Sequence, residues 1–558
     1  MKGKIFFISL FATSLAQAQM LYVNNSDGTY QAIDTKQTHE ITFNEAQQLV
    51  KFTMLNGITS QFATTRIDNI SPVKEKTTEL VYNLSPSVAF DANEANSYNE
   101  ITREIPTDEL DDEYGDFVEN FTASKVITIT FSENSVKTSN LPTGITSTAN
   151  NGHLTIHSTI GKVAYRVTGT SSNGSLKIYS DKKFRILANK INLTNPTGPA
   201  INIQSGKTVY FSIADGTTNT LCDGTTYNTP TVTDGVEEDQ KGTLFSEGQI
   251  IFDGYNNGTG TLNVTSLGGH AICSDDYIIV RGGNINITAS AKDGFRTKEK
   301  FIIGRTDAYS PTITVNANSN GIECTEGALT IEAGKLDITS GGEGIKVVYE
   351  EATPDPAVTP NATITGGFIK IKTTGEKSSA IQTTGNYTQT GGIIQATVDG
   401  NGSKIINCDG SVAFANGKLT GVVNGTLAEA DVTSAGGIKS EGRLSMTGGT
   451  IAIDCKGKGA KAINCDSDIV MDSGNMTLLA TEKNYTDIAD DKKSRAMTAV
   501  NITVNGGKVI AGAYDCALTA TEGIAINGGI VNAYSTKSTA LSKEATHTAG
   551  WLLTKDAE

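Results

Sequence analysis

The sequence is poor in the residues that most often announce chemistry or a membrane. It carries five histidines in 558 residues (His39, His153, His157, His270 and His547), scattered without metal-ligand or triad spacing. A Ser/His/Asp mechanism therefore has no support. No Cys-x-x-Cys pair occurs, and the seven cysteines are an odd number, so at least one stands outside any disulfide within the chain. Beyond the first residues there is no run of about 20 apolar side chains that could span a bilayer as a helix. Basic residues are outnumbered, 45 against 60 acidic, and the net charge of −15 disfavours non-specific nucleic-acid binding. It also repels polyanions unless a cation or a local basic patch intervenes. Proline (11) and tryptophan (1) are scarce while glycine is abundant (58), as expected of many tight turns and few helices.

What is present is a repeat. From about residue 270 onward the unit is apolar-x-apolar, a Gly-Gly or near equivalent, then apolar-x-apolar. Tyr277 to Ile287 is one copy. Others centre on Ala333-Gly334, Gly366-Gly367, Gly391-Gly392, Asn416-Gly417, Gly448-Gly449, Ser473-Gly474, Gly506-Gly507 and Gly528-Gly529. The second glycine recurs every 22–25 residues, or about 33 where a loop is inserted, with one gap near twice the unit. Apolar pairs flank it in register: Ile278 and Val280 before with Ile285 and Ile287 after, Leu329 and Ile331 with Leu336 and Ile338, Ile502 and Val504 with Val509 and Ala511. Alternation puts one face of each strand inside. Strands this short cannot bury that face alone, but stacked coils can, each covering the next at about 4.8 Å. The fold class expected is all-β, a right-handed parallel β-helix. A propeller blade needs roughly 40–50 residues, more than the period provides. Cys408 and Cys465 share a repeat position with Ser274 and Ser440, and Cys455 one with Ala289 and Ser340, which makes them small core residues rather than metal ligands.

Four segments are expected. Residues 1–18 read as a secretory signal: Lys2 and Lys4, the apolar run Ile5 to Leu15, then Ala16-Gln17-Ala18 as a small-x-small cleavage site. No cysteine follows the cut, so the usual lipoprotein anchor is not indicated, and the mature chain is expected in the periplasm, at the cell surface or outside the cell. Residues 19–71 read as a small β-rich module, with Leu21-Tyr22-Val23 and Ile41-Thr42-Phe43 around a turn. It resembles the short segment behind signal peptides in many secreted Bacteroidetes-type proteins, and a cell-surface protein partner is one role for it. Residues 72–124 crowd Asp108, Glu109, Asp111, Asp112, Glu113 and Asp116 among few apolar residues and read as a flexible acidic linker; EF-hand spacing is absent. Residues 125–558 form the β-helix, interrupted by loops at roughly 222–243, 350–360 and 483–496.

Counted from the second glycine, Glu326, Asp409, Glu441 and Asp466 fall at one repeat position. Asp275 and Asp276 adjoin a strand start, with Asp293 and Glu299 about one coil further on. Stacking lines such carboxylates up a few ångström apart, where a row repels itself unless solvated or bridged by a cation such as calcium. The alternative is turn chemistry, since Glu326-Gly327, Asp409-Gly410 and Glu441-Gly442 are turn-forming dipeptides.

Residues 125–350 resemble the secreted bacterial carbohydrate-binding β-helix family that shares its fold with pectate lyases. The resemblance is carried by Ala164-Tyr165-Arg166-Val167-Thr168-Gly169-Thr170, Ile213 to Leu221, Gly260 to Val264, Ala271 to Asp276, and Asp293-Gly294-Phe295-Arg296-Thr297-Lys298-Glu299. It implies non-catalytic binding of plant-type polysaccharide, including acidic polymers such as polygalacturonate, with bound calcium. The family element Asp-Gly-Ile-Arg-Gly-Lys-Asp carries Thr297 and Glu299 here, and the next two copies begin Asn320-Gly321-Ile322 and Glu343-Gly344-Ile345. Each change keeps an oxygen ligand, though Asn320 removes a charge. The expected calcium ligands are Asp275, Asp276, Asp293, Glu299 and Glu326. The expected sugar contacts are Arg281, Lys292, Arg296, Lys298, Lys300 and Tyr277, since Arg can grip a uronate carboxylate bidentately. Trp551 is the lone tryptophan, so an aromatic platform for a neutral glucan would have to use tyrosines. Two alternatives stand beside this expectation. One is a calcium-dependent polysaccharide lyase with Arg296, Lys298 or Lys300 as base. The other is an adhesive or structural solenoid.

Overall fold

The computed structural model describes residues 19–557 apart from Tyr82, Asp234, Asp307, Ala308, Ala352, Pro354, Asp487, Ala489 and Asp490. The signal-like segment 1–18 lies outside the described residues. The chain divides into two compact units, one of residues 90–419 and one in which residues up to 89 join 420–558. The described residues are all-β, with short 3₁₀ turns and no α-helix.

In the 90–419 unit, three parallel ladders repeat coil after coil. Ladder 1 includes Gly242–Ser246, His270–Ser274, Phe295–Thr297, Ile322–Cys324, Ile345–Val347 and Ile381–Thr383. Ladder 2 includes Val209–Ile213, Ile250–Asp253, Ile278–Val280, Lys300–Ile303 and Ala328–Ile331. Ladder 3 includes Thr261–Ser266, Asn284–Ser290, Thr312–Ala317, Lys335–Ser340 and Phe368–Thr373. The expected alternation holds: Ile285 and Ile287 align with Ile313 and Val315, then Leu336 and Ile338, then Ile369 and Ile371, all buried. The second glycine of each repeat makes the corner between ladders 2 and 3. Gly283, Gly334, Gly367, Gly392 and Gly417 all have positive φ, between 68° and 95°, where a Cβ is strained.

The cysteines are ladder residues, as expected. Ser246, Ser274, Thr297, Cys324, Val347, Thr383 and Cys408 succeed one another in ladder 1. No disulfide forms among the described residues. A bulge after Val264 puts Ser290, not Ala289, in the inward ladder 3 column.

The acidic segment differs from its expectation. Its residues 99–121 form an ordered strap laid over ladder 2, not a flexible linker, while Thr78–Glu79 joins the N-terminal strands. Val118 and Phe121 pack on the outward column Tyr210, Ile251 and Ile279. Further along, Arg103 N donates to Arg305 O and Ile101 N to Glu332 O, while Asn99 bonds Thr365 O and Gly392 N. The outward faces of ladder 2 are apolar at these coils, so covering them stabilises the strap enough to offset its ordering entropy.

In the other unit the same three-ladder pattern runs from Gly436–Ser440 to Trp551–Lys555, with Ser440 and Cys465 in register. Trp551–Lys555 lies parallel to Ile530–Ser535 on one side and antiparallel to Ile58–Ala63 on the other. The meander continues through Leu49–Met54 to Thr38–Asn44. A second sheet, of Met20–Asn25, Thr29–Asp34, Ile67–Ser71 and Thr78–Glu79, helps close a core of Leu21, Val23, Ile33, Val50, Phe52, Phe62, Trp551 and Leu553. Trp551 stacks on Phe62 and donates its indole N–H to Ser60 Oγ at 2.6 Å. The strand Trp551–Lys555 is capped by the N-terminal strands.

Candidate functional site

The residues expected to bind ligand or metal separate into three groups in the 90–419 unit. The first is under the strap. Arg281, at 5% exposure, is roofed by the Phe117 ring, 3.9 Å from its guanidinium, and donates Nε to Asp116 O at 3.0 Å. Lys300 pairs with the Asp116 carboxylate at 2.8 Å and lies 4.1 Å from the centre of the Tyr277 ring, whose hydroxyl also donates to Asp116. Burial, then the Asp116 carboxylate, pushes the Tyr277 phenol well above its usual range. Arg281, Lys300 and Tyr277 were expected to meet sugar. They meet Asp116 instead, because a buried carboxylate 3% exposed needs cationic and hydroxyl donors around it.

The second group follows ladder 1 at its turn. Lys241 Nζ sits between Asp239 (2.8 Å) and Asp275 (2.5 Å), and the ligand oxygens of Asp239, Glu247 and Asp275 lie within 4.8 Å of one another. Burial, with Asp275 and Asp239 beside it, raises the Glu247 carboxyl. Asp276 accepts from Gln249 Nε2 and stands against Glu299; burial and that neighbour lift its carboxyl to about 6. Asp275 Oδ1 and Asp276 Oδ1 are both shut off from solvent without a hydrogen-bond donor. Lys298 approaches Glu326 at 3.9 Å. Glu326 lies two residues after Cys324, whereas Asp409 follows Cys408 directly, and these cysteines share a column. Counting from the glycine had hidden that offset.

The third group is the outward face of ladder 1. Arg296, Glu323, Lys346 and Gln382 align in successive strands. Arg296 Nε bonds Glu323 Oε2 at 3.3 Å and Lys346 Nζ bonds Glu323 Oε1 at 3.1 Å. Beside this row, at the turn entering ladder 1, Asp293 pairs with His270 Nδ1 at 3.0 Å and accepts from Asn320 N at 2.9 Å. Burial opposes ionisation of Asp293, but His270 and Asn320 outweigh it and bring the carboxyl down to about 2. Burial raises the Glu343 carboxyl next to Lys346 and Glu323. Lys292 is exposed at the same turn. On the preceding coils the loop after Asp223 crosses this face. Glu238 there binds Lys177 (2.7 Å) and Tyr179 (2.5 Å), and Asp239 O accepts from Asn202 and Gln204.

The five expected metal ligands are thus not one set. Asp275 belongs with Asp239 and Glu247, which the motif did not include, Asp276 with Glu299, Asp293 with His270, and Glu326 with Lys298. Glu323 and Lys346 also went unnamed. Their signal was there: Gly294-Phe-Arg296, Gly321-Ile-Glu323 and Gly344-Ile-Lys346 are the same tripeptide with a changing charge.

No curated protein matches the chain. A solved structure, the polysaccharide lyase-like protein from C. thermocellum as its gadolinium derivative, is 22% identical, with 51% of this chain and 95% of that one covered and a TM-score of 0.36. The model of the carbohydrate-binding domain-containing protein family matches residues 150–477 and 430–539. Those segments contain all three ladders, the charged ladder 1 face among them, and extend over more than half of the sequence: the chain belongs to the carbohydrate-binding domain-containing protein family.

Proposed function

We propose that the protein is a secreted, non-catalytic binder of acidic polysaccharide, and that the ladder 1 face around Arg296, Glu323 and Lys346 is its sugar site. The carrying observation is this row of alternating charge at strand spacing. Arg296 engages Glu323 through Nε, and its two Nη groups remain for a uronate carboxylate. Lys346 can donate to ring hydroxyls and Glu323 can accept from them. The outward positions Arg296, Glu323, Lys346, Gln382 and Asn407 include no aromatic ring, and Trp551 is in the core of the other unit, so the site suits charged sugars over flat neutral ones. The cations weighed as a lyase base, Arg296, Lys298 and Lys300, are each engaged by a carboxylate, which supports binding over proton abstraction.

Asp239, Glu247 and Asp275 form the carboxylate set that suits calcium, a hard cation taking oxygen ligands. The undonated Asp275 Oδ1 supports this fit. Lys241 occupies the same position, so calcium binding would displace its ammonium. The test is titration calorimetry with polygalacturonate in calcium and in chelator, with Arg296→Ala and Lys346→Ala, and with Lys370→Ala on ladder 3 as control. Loss of heat in the two ladder 1 variants alone is the expected result. Equal binding by all variants would reject the face, and binding unchanged in chelator would reject the calcium role. Secretion is tested by the N-terminal residue of the exported protein, expected to follow Ala18.

A further inference from the structure

The meander of the N-terminal strands ends in Thr38–Asn44, which pairs with Leu49–Met54 and with no other strand among the described residues. A bulge at its start, between Thr38 and Glu40, leaves Glu40 to Asn44 regular. Residues directly opposite in an antiparallel pair share a face. Ile41 faces Phe52 and Phe43 faces Val50, and Val50 in turn faces Phe62. Val50, Phe52 and Phe62 are core residues covered by Leu21, Val23 and Ile33. Ile41 and Phe43 extend that same apolar face by one strand beyond its cover, and are 47% and 39% exposed. An exposed edge with unpaired backbone groups and apolar side chains is a template for another strand. Natural edges are blunted by proline, lysine or inward charge, and Glu40 to Asn44 contains none of these.

We infer that this edge is a homodimer interface, closed by the same strand of a second copy running antiparallel about a two-fold axis at Thr42. The segment is complementary to itself in that register. Ile41 of each copy falls opposite Phe43 of the other, on the apolar face, twice over. Thr42 meets Thr42 on the other face, and Glu40 meets Asn44. β-Branched–aromatic and Thr–Thr pairs are the favourable cross-strand pairs. Glu40 is the segment's sole formal charge, and in this register it faces an amide. A parallel approach would set Glu40 against Glu40, which is destabilising. The contact is isologous and therefore closes at two copies instead of propagating. With a net charge of −15 on each copy, long-range repulsion opposes association, so salt strengthens the dimer.

Sedimentation equilibrium of the protein across the micromolar range tests this. The expected mass doubles with concentration, more readily at higher ionic strength. Ile41→Lys, at a half-exposed position, is expected to weaken the dimer about ten- to thirtyfold, with Trp551 fluorescence confirming that the adjacent core is folded. In a Cys222→Ser background, Thr42→Cys should be joined into dimers by a short bis-maleimide. Glu40→Cys should not, since its two copies would lie about 14 Å apart at four residues of strand rise. A monomer at every concentration would overturn the inference. So would a dimer indifferent to Ile41→Lys, equal cross-linking at both cysteines, or a mass increase seen only when a different protein is added.

Discussion

Asp116→Ala measures how firmly the strap holds the ladder 2 face. The carboxylate is buried and takes Lys300 Nζ at 2.8 Å and the Tyr277 hydroxyl. Removing one partner of a buried ion pair costs about 3–5 kcal/mol. Lys300, however, keeps 36% of its side chain in solvent, and water recovers part of that, leaving about 2–3 kcal/mol. The Phe117 ring over Arg281 and the Val118 and Phe121 contacts are untouched, so the loss should appear as local opening of the strap. Amide exchange at Tyr114, Asn120 and Phe121, which bond Asp111, Phe117 and Val118 within the strap, should accelerate about 30- to 150-fold, the factor equivalent to that free energy. Freed from the carboxylate, the Tyr277 phenol should ionise at lower pH than in the parent, visible in a spectrophotometric titration. Unchanged exchange at these amides, with Tyr277 titrating as before, would show that Asp116 does not hold the strap.

Three further outcomes are expected. Gly417→Ala places a Cβ 2.4 Å from Gly391 O at φ +89°, whereas at Gly216 (φ +62°) the added methyl meets nothing within 4 Å; urea unfolding should show about 2–4 kcal/mol lost at the first and about 1 at the second, and equal losses would contradict the ladder spacing. Burial, against the pull of Arg185 and Ser212, lifts the Asp253 carboxyl to about 6 from 3.8. Its protonated form therefore favours the fold, and the stability it contributes is complete below about pH 4 and lost as pH rises through 6. The change is about 2–3 kcal/mol, and Asp253→Asn should remove that much of the difference between pH 4 and 7, an unchanged slope counting against it. Ser60→Ala strands the Trp551 indole N–H and the Gln31 acceptor, costing about 1–3 kcal/mol in denaturation followed by tryptophan fluorescence; no loss would mean that water replaces the hydroxyl.

The coil was legible because its signals are local. A positive φ at Gly283, Gly334 or Gly417 constrains one residue, and inward alternation constrains every second one. The strap was not legible, because its partners are far away in sequence: Asp116 and Lys300 are 184 residues apart. Its acidic composition is also what a solvated linker would show. For the same reason Arg281, Lys300 and Tyr277 looked available when each already had a partner. The carboxylates near 275 were found individually, but Asp239 comes from an inserted loop, where no repeat position predicts it, and Glu247, which follows Ser246 as Asp275 follows Ser274, lies on a coil before the clear repeat begins. Arg296 was found, while Glu323 and Lys346 were passed over because outward positions of a strand carry no pattern of their own.

The strand Ile58–Ala63 cannot find its neighbour Trp551–Lys555 until the residues between them exist, since Ser60 and Trp551 are 491 residues apart. Contacts of such separation form slowly. During folding the strand Ile58–Ala63 must therefore wait, its apolar face unsatisfied, while coils can stack in order from neighbour to neighbour. Closure of that sheet is thus a long-range event in the folding of this unit: without Trp551–Lys555, Phe62 loses its stacking partner and Ile58–Ala63 is left as an open edge.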